Sequence, residues 1–277
     1  MSAPASISIK RTHGLGNLVM LLPIADALAK RGAAVHLVTR PEWHEAMQAG
    51  RPGVTFSTAP REDTIDLDAA TAALPPSMHR TLEFARLLSV PGPFEAPRLH
   101  VPESWSGPFR RYAGALVVAP ESGHPARSWP AGHVHELLAR LAAERVVLTG
   151  LSSGPALPCA ADLRGRLSLP QLLGLLAHAR AVICFDSGVL HLAAACLVPT
   201  LAIFGGIDPA FRIFPGQRVR VIQAALDCCP CNKAETCAGS YPCLSRTTPG
   251  QVLAELATIE QVGGREIKRM EQLECTG

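Results

Sequence analysis

The stretch that decides the fold is AVICFDSGVLHLAAACLVPTLAIFGG, residues 181–206. Two apolar runs of strand length flank a segment whose apolar residues recur at helical spacing. Asp186, Ser187, Gly188 and His191 stand at the joint between the first run and the helix. Strands that are apolar on both faces and separated by helices call for a parallel sheet covered on both sides. In such sheets ligands bind beyond the carboxyl ends of the strands, which is where FDSG lies. A helix N-terminus offers free N–H groups and about half a positive charge, which suits phosphate. The same residues also suit a plain helix cap through Asp186 or Ser187, and spacing alone does not choose between the two.

The same rhythm extends in both directions. SISIK reads as a strand, HGLGN as a turn, NLVMLLPIADALAKRG as a helix and AAVHLVTR as a buried strand. PEWHEAMQAG reads as a helix opened by Pro41 and closed by Gly50, and GVTFST as a strand. Residues 91–108 hold five prolines and read as a linker. The pattern then restarts with GALVVAP, PAGHVHELLARLAA and RVVLTG, followed by SLPQLLGLLAHA with a capping-box spacing from Ser168 to Gln171. VRVIQ closes the series. The predicted architecture is therefore α/β, with two facing Rossmann-like domains at 1–112 and 113–277 and a small Cys-rich insertion near the C-terminus.

The 277 residues suit two ordinary domains, and 48% apolar against 18% charged residues excludes a disordered chain. A net charge of +3, from 26 basic and 23 acidic residues with no basic block, argues against a nucleic-acid partner. No segment approaches the ~20 apolar residues of a spanning helix, and MSAPASISIKRTHG does not read as a secretory signal. The expected location is the cytoplasm, with peripheral membrane contact left open. A dinucleotide-dependent dehydrogenase is disfavoured. Val19 stands where the third glycine of GxGxxG would fall, and no acidic residue ends VHLVTR.

The residues from Asp162 to Pro209 resemble the donor-binding half of glycosyltransferase family 9, the ADP-heptose:lipopolysaccharide heptosyltransferases. The likeness rests on Asp186, Ser187-Gly188, His191, Phe204-Gly205 and Asp208-Pro209. HGLGNLVMLLPIADAL is similar to the family's first loop and helix. VVAPESGHPARSWPAGHVHELLARL is similar to its phosphate loop, with Arg127 in the basic position before Trp129-Pro130. The resemblance implies a GT-B fold and inverting, metal-independent transfer of heptose from ADP-heptose. The acceptor would be a hydroxyl of lipopolysaccharide core, a protein or another glycan.

It also implies substrate contacts from Gly14, Gly16, Ser122, Gly123, Arg127, Ser152, Asp186, Ser187, Gly188 and His191. An arginine forks onto phosphate bidentately, so Arg127 serves where the family has lysine. Read without the family, Arg127 is an ordinary surface charge and His191 a buried core residue.

Three departures matter. Where the family places an aspartate base after Gly-x-Gly, this chain has Asn17, and an amide is no base near pH 7. His13 could substitute, or an ionised acceptor could need no base. Otherwise the chain is a catalytically silent nucleotide-sugar-binding protein or partner subunit. The first domain is short, which puts the acceptor site in doubt. LTGLSSGP offers Ser152 and Ser153 where the family often has a ribose-binding glutamate.

CCPCNKAETCAGSYPC brings Cys228, Cys231, Cys237 and Cys243 together at the spacing of a four-thiolate knuckle, read as a structural Zn or Fe site. Some family members, including iron-binding heptosyltransferases, carry a similar cluster. Reduced thiols or two disulfides are the alternatives. No cofactor is expected for catalysis. Cys159, Cys184 and Cys196 read as small core residues, and Cys275 lies in an uninformative tail.

Overall fold

Strand β1 (Ser6–Lys10) leads through a glycine turn into α1 (Leu15–Lys30), whose Leu18, Leu21, Leu22 and Leu28 are buried. The computed structural model describes residues 6–71, 77–232 and 237–259. The readings made on residues 1–5 and on Cys275 lie outside them. After α1 come β2 (Ala34–Val38), α2 (Pro41–Gln48), β3 (Val54–Ser57), β4 (Ile65–Asp66), α3 (Leu67–Thr71) and α4 (Arg80–Leu87). Pro41 opens α2 as expected, because a missing N–H costs nothing at the first helical position. These strands form a parallel sheet in the order β3-β2-β1-β4, with Ile9 opposite Leu37 and Ile65.

The linker reading holds only for its first part. Residues 91–102 are irregular, but Glu103–Ser106 form a short helix, α5, and Gly107–Tyr112 a 3₁₀ turn. The carbonyl oxygen of Trp105 packs where a side chain on Gly174 would lie, 2.1 Å from an ideal Cβ. A glycine in the facing helix is what lets this segment dock.

The second half runs β5 (Leu116–Val118), α6 (Ala131–Arg140), β6 (Val146–Leu148), β7 (Ala161–Asp162), α7 (Leu169–Leu176), β8 (Ala181–Phe185), α8 (Gly188–Ala195), β9 (Thr200–Phe204) and β10 (Val219–Gln223). The short helix α9 (Pro242–Ser245) follows the Cys-rich stretch. The six strands form one parallel sheet, ordered β10-β9-β8-β5-β6-β7. The box starting α7 is formed in both directions, Ser168 accepting from the Gln171 N–H and Gln171 from the Ser168 N–H.

One apolar cluster runs without a break from Ile9 and Leu22, through Phe109 and Leu173, to Leu192 and Phe204. The two sheets therefore share a core. A second cluster on the far face of the larger sheet holds Trp129, Leu137, Cys243 and Leu244. Cys184 is buried and Cys196 partly so, as expected of core thiols. Cys159 is exposed, because it sits in the irregular chain before β7 and packs under no helix.

Candidate functional site

The site is built where α1 and α8 begin. Gly14 caps α1 at φ 79°, the left-handed region glycine enters without penalty, and no side chain caps that helix. Ser187 occupies the cap position of α8 but makes no side-chain capping bond. Its Oγ is buried without a partner among the described residues. Two helix N-termini are thus left without side-chain caps. Their first turns meet, because an ideal Cβ on Gly16 would lie 2.3 Å from Cδ2 of His191 and one on Gly188 would lie 3.4 Å from Cβ of Leu15. Around them opens a cleft of about 910 Å³, within the range usual for small-molecule sites.

The charges in this cleft converge on Asp186, which is 4% exposed. Arg127 donates from Nη1 to the Asp186 carbonyl at 3.0 Å and stands 4.0 Å from its carboxylate. Arg127 is therefore turned inward and is not a free surface charge. Nε of Arg212 lies 3.7 Å from the other carboxylate oxygen. His191 is buried, and burial, with Arg212, His79 and Arg127 nearby, pushes its pKa down to about 3. Its imidazole is neutral at pH 7 and can neither pair a phosphate as a cation nor be counted as a charged donor.

Ten of the residues singled out from sequence line the cleft. Gly14, Gly16 and Asn17 come from the first loop and Ser122, Gly123 and Arg127 from the loop after β5. Asp186, Ser187, Gly188 and His191 come from the end of β8 and the start of α8. Two stand outside the lining. Ser152 instead donates its hydroxyl to Glu121 at 3.1 Å, and it is Glu121 that lines the cleft. His13 is well exposed beside the first loop, with Nδ1 3.3 Å from Asp68. Asp68 is nearly buried and also accepts from the Thr12 hydroxyl at 2.6 Å and the His13 N–H at 3.1 Å.

Glu121, Arg80 and Arg212 line the site and were missed by sequence reasoning, as was Asp68 beside it. Glu121 was within reach, since it directly follows the strand GALVVAP at its carboxyl end.

The cysteines also line the cleft, on the side of α9. The eight cysteines of the described residues are free thiols, so the disulfide alternative is not formed. Burial, then Cys243, Cys231 and Cys228, lifts Cys229 to about 11. The four-thiolate centre expected from spacing is not formed either. Among the described residues no three His, Cys, Asp or Glu side chains converge on a point a metal could occupy. Cys229, outside the expected set, turns inward and donates to the Gly205 carbonyl at 3.4 Å, while Cys228 is exposed. Spacing fixes which thiols are neighbours, not which way each one faces.

Comparison with known proteins agrees with this geometry. Residues 108–241 match the model of glycosyltransferase family 9 (heptosyltransferase). Lipopolysaccharide heptosyltransferase 2 of Salmonella typhimurium is 32% identical over 151 residues, 49% of this chain and 43% of that protein. The chain thus spans less than half the length of the curated relatives it matches. In structure it is similar to TibC, a dodecameric iron-containing glycosyltransferase of enterotoxigenic E. coli H10407. The TM-score is 0.76 at 18% identity, covering 95% of this chain and 77% of TibC. It is also similar to E. coli ADP-heptose lps heptosyltransferase II, with TM-score 0.67 at 19% identity, covering 93% and 99% of the two chains. No helix among the described residues is long and apolar enough to cross a membrane. The matched segment around Arg127 and Asp186 is similar to the heptosyltransferases of glycosyltransferase family 9, and the cleft between two parallel sheets has the GT-B fold of these structural neighbours.

Proposed function

We propose that the chain transfers heptose from ADP-heptose to an acceptor oxygen, with inversion and without a catalytic metal. Residues 1–112 would form the acceptor side and 113–277 the donor side. The observation that carries this reading is the pair of helix N-termini without side-chain caps meeting beside Arg127, which together supply a fixed positive environment for a leaving diphosphate. In the step itself the acceptor oxygen attacks C1 of the sugar. The bond from C1 to the β-phosphate oxygen breaks, and its electron pair leaves with ADP. Charge grows on that oxygen, so donors already aimed at it lower the barrier without reorganising. Ser122, Gly123, Arg127 and the backbone of Ser187 and Gly188 are assigned to the diphosphate. Asp186 is assigned to the sugar hydroxyls and Glu121 to the ribose, a role first expected of Ser152.

The acceptor proton falls to His13. An imidazole whose Nδ1 faces a carboxylate presents Nε2 as the base, and Asp68 supplies that carboxylate. Asn17 donates its amide to the His13 carbonyl at 3.3 Å and so steadies the loop instead of taking a proton. The second reading, a nucleotide-sugar-binding protein without transfer, is favoured by one fact, the amide of Asn17.

Calorimetric titration with ADP, ADP-heptose, UDP and GDP tests the donor assignment. Binding of ADP and ADP-heptose alone supports it, and binding of none removes it. Asn17→Asp and His13→Gln then separate the readings. Transfer that appears only with Asn17→Asp marks the natural chain as silent, and transfer lost in His13→Gln assigns the base.

A further inference from the structure

Arg80 and Arg212 belong to opposite halves of the chain, Arg80 opening α4 and Arg212 following the turn Pro209–Phe211. Both line the cleft and both are more than nine-tenths buried. Neither is neutralised in proportion to its burial. Arg80 pairs with Glu83 at 2.6 Å, yet its Nε is buried with no partner among the described residues. Arg212 approaches the Asp186 carboxylate at 3.7 Å, a carboxylate Arg127 shares, and otherwise donates from Nη1 to the uncharged carbonyl of its neighbour Phe211 at 3.3 Å. Arg212 feels the repulsion of Arg80 and of Arg127, so three guanidiniums stand against the two carboxylates of Asp186 and Glu83. Burial depresses the pKa of Arg212 and of Arg80, as expected of cations held in a poorly compensated place.

A further unused donor lies beside them. His79 accepts the Thr81 N–H at Nδ1, which places its proton on Nε2. That Nε2–H is buried and also has no partner among the described residues. His79 packs edge-on against Phe214, two residues from Arg212, and both His79 and Arg212 act on His191. Buried donors are rarely left unpaired, and two on consecutive residues beside an excess of positive charge describe a receptor for an anion.

We propose that Arg80 and Arg212, with the Nε2–H of His79, form a second oxyanion subsite. It takes a phosphate or carboxylate group borne by the molecule on the acceptor side of the cleft. It is separate from the diphosphate subsite assigned to Arg127 and α8, and it rests on that assignment only in using ADP to block the first subsite. An anion held there joins the two halves through one guanidinium from each.

Inorganic phosphate is the probe. It is titrated against ADP-saturated protein at constant ionic strength, with the unfolding temperature as the signal. The expected result is a saturable rise in unfolding temperature. In Arg80→Gln and in Arg212→Gln its apparent affinity falls at least about tenfold, as for loss of a charged hydrogen bond. ADP affinity should change by less than about threefold, the scale of one uncharged hydrogen bond at the edge of a site. The proposal is overturned if saturating ADP abolishes the phosphate response. It is equally overturned if the variants lose ADP binding instead, which would give both arginines to the donor. His79→Phe keeps the ring and removes the donor. Should the arginine variants not fold, a weakened phosphate response in this variant supports the subsite and an unchanged one overturns it. Failure of ADP to bind removes the donor assignment and leaves the arginine dependence of the phosphate response to be read alone.

Discussion

Gly16→Ala is the most telling single methyl in this protein. An added Cβ would stand 2.3 Å from Cδ2 of His191, 2.9 Å from Nε2 and 3.2 Å from Cγ. His191 is 7% exposed on α8, so the ring must shift toward the cleft or the two helices must part to admit the methyl. Forcing extra volume into such a place costs about 1–3 kcal/mol. The same substitution relieves the entropy penalty of a helical glycine by about 1 kcal/mol, so the net expected loss is about 0–2 kcal/mol. Gly132 supplies the control. It too is the second residue of its helix, α6, and nothing lies within 4 Å of its ideal Cβ. Gly132→Ala should therefore be neutral or stabilising by up to about 1 kcal/mol. Urea unfolding followed by circular dichroism reads each as a shift in midpoint at constant slope. The decisive comparison is made in a His191→Ala background, where the clash partner is gone and Gly16→Ala should behave like Gly132→Ala. An unchanged cost there would refute the clash with His191 as its origin.

Three further outcomes are expected. Arg127→Ala should weaken ADP binding at least about tenfold while leaving adenosine binding nearly unchanged, by calorimetry, since a charged hydrogen bond to phosphate is removed. Equal losses for both ligands would point to a collapsed cleft. Burial holds His191 near 3 and His79 near 4, against an ordinary 6.5, so the unfolded chain takes up protons first on acidification. Stability should be full above pH 6.5 and fall below it, by up to about 1.4 kcal/mol per pH unit for each histidine. Urea midpoints between pH 7 and 4.5 should show a shallower fall in His191→Gln, and an identical slope would contradict the assignment. Trp129→Phe keeps a buried ring but removes the N–H that serves the carbonyls of Leu244 at 3.1 Å and Thr247 at 2.8 Å. The expected cost is about 1–3 kcal/mol in the same unfolding assay, and no loss would mean those carbonyls find water.

What the sequence revealed and what it hid divide along a physical line. The ends of α2 and α7 were plain because Pro41 and the Ser168–Gln171 box act on their own local backbone. Asp186 and Ser187 were legible because a strand's carboxyl end followed by a helix defines a place whatever the rest of the chain does, whereas Arg127 was singled out only by the resemblance of its loop to the family's. β4 and β7, two residues each, were not, since periodicity needs more residues than that. α4 went unread because HRTLEFARLL mixes charged and apolar residues without a strong cap, and with it Arg80 was lost. Arg212 and Asp68 owe their importance to partners distant in sequence, Asp186 and His13, which spacing does not record. The thiols were overread, because a count of intervening residues says nothing of side-chain direction.

The apolar cluster running from Ile9 to Phe204 has a consequence for how the molecule melts. Chains with two parallel sheets are commonly pictured as two independent folding units, each with its own transition. Here neither sheet can lose its packing without exposing side chains of the other. Unfolding is then one cooperative event, and neither half excised alone keeps a closed interior. A nucleotide bound by one half also stabilises the half it does not touch, so amide hydrogens in β1 and β2 should exchange more slowly when ADP is present.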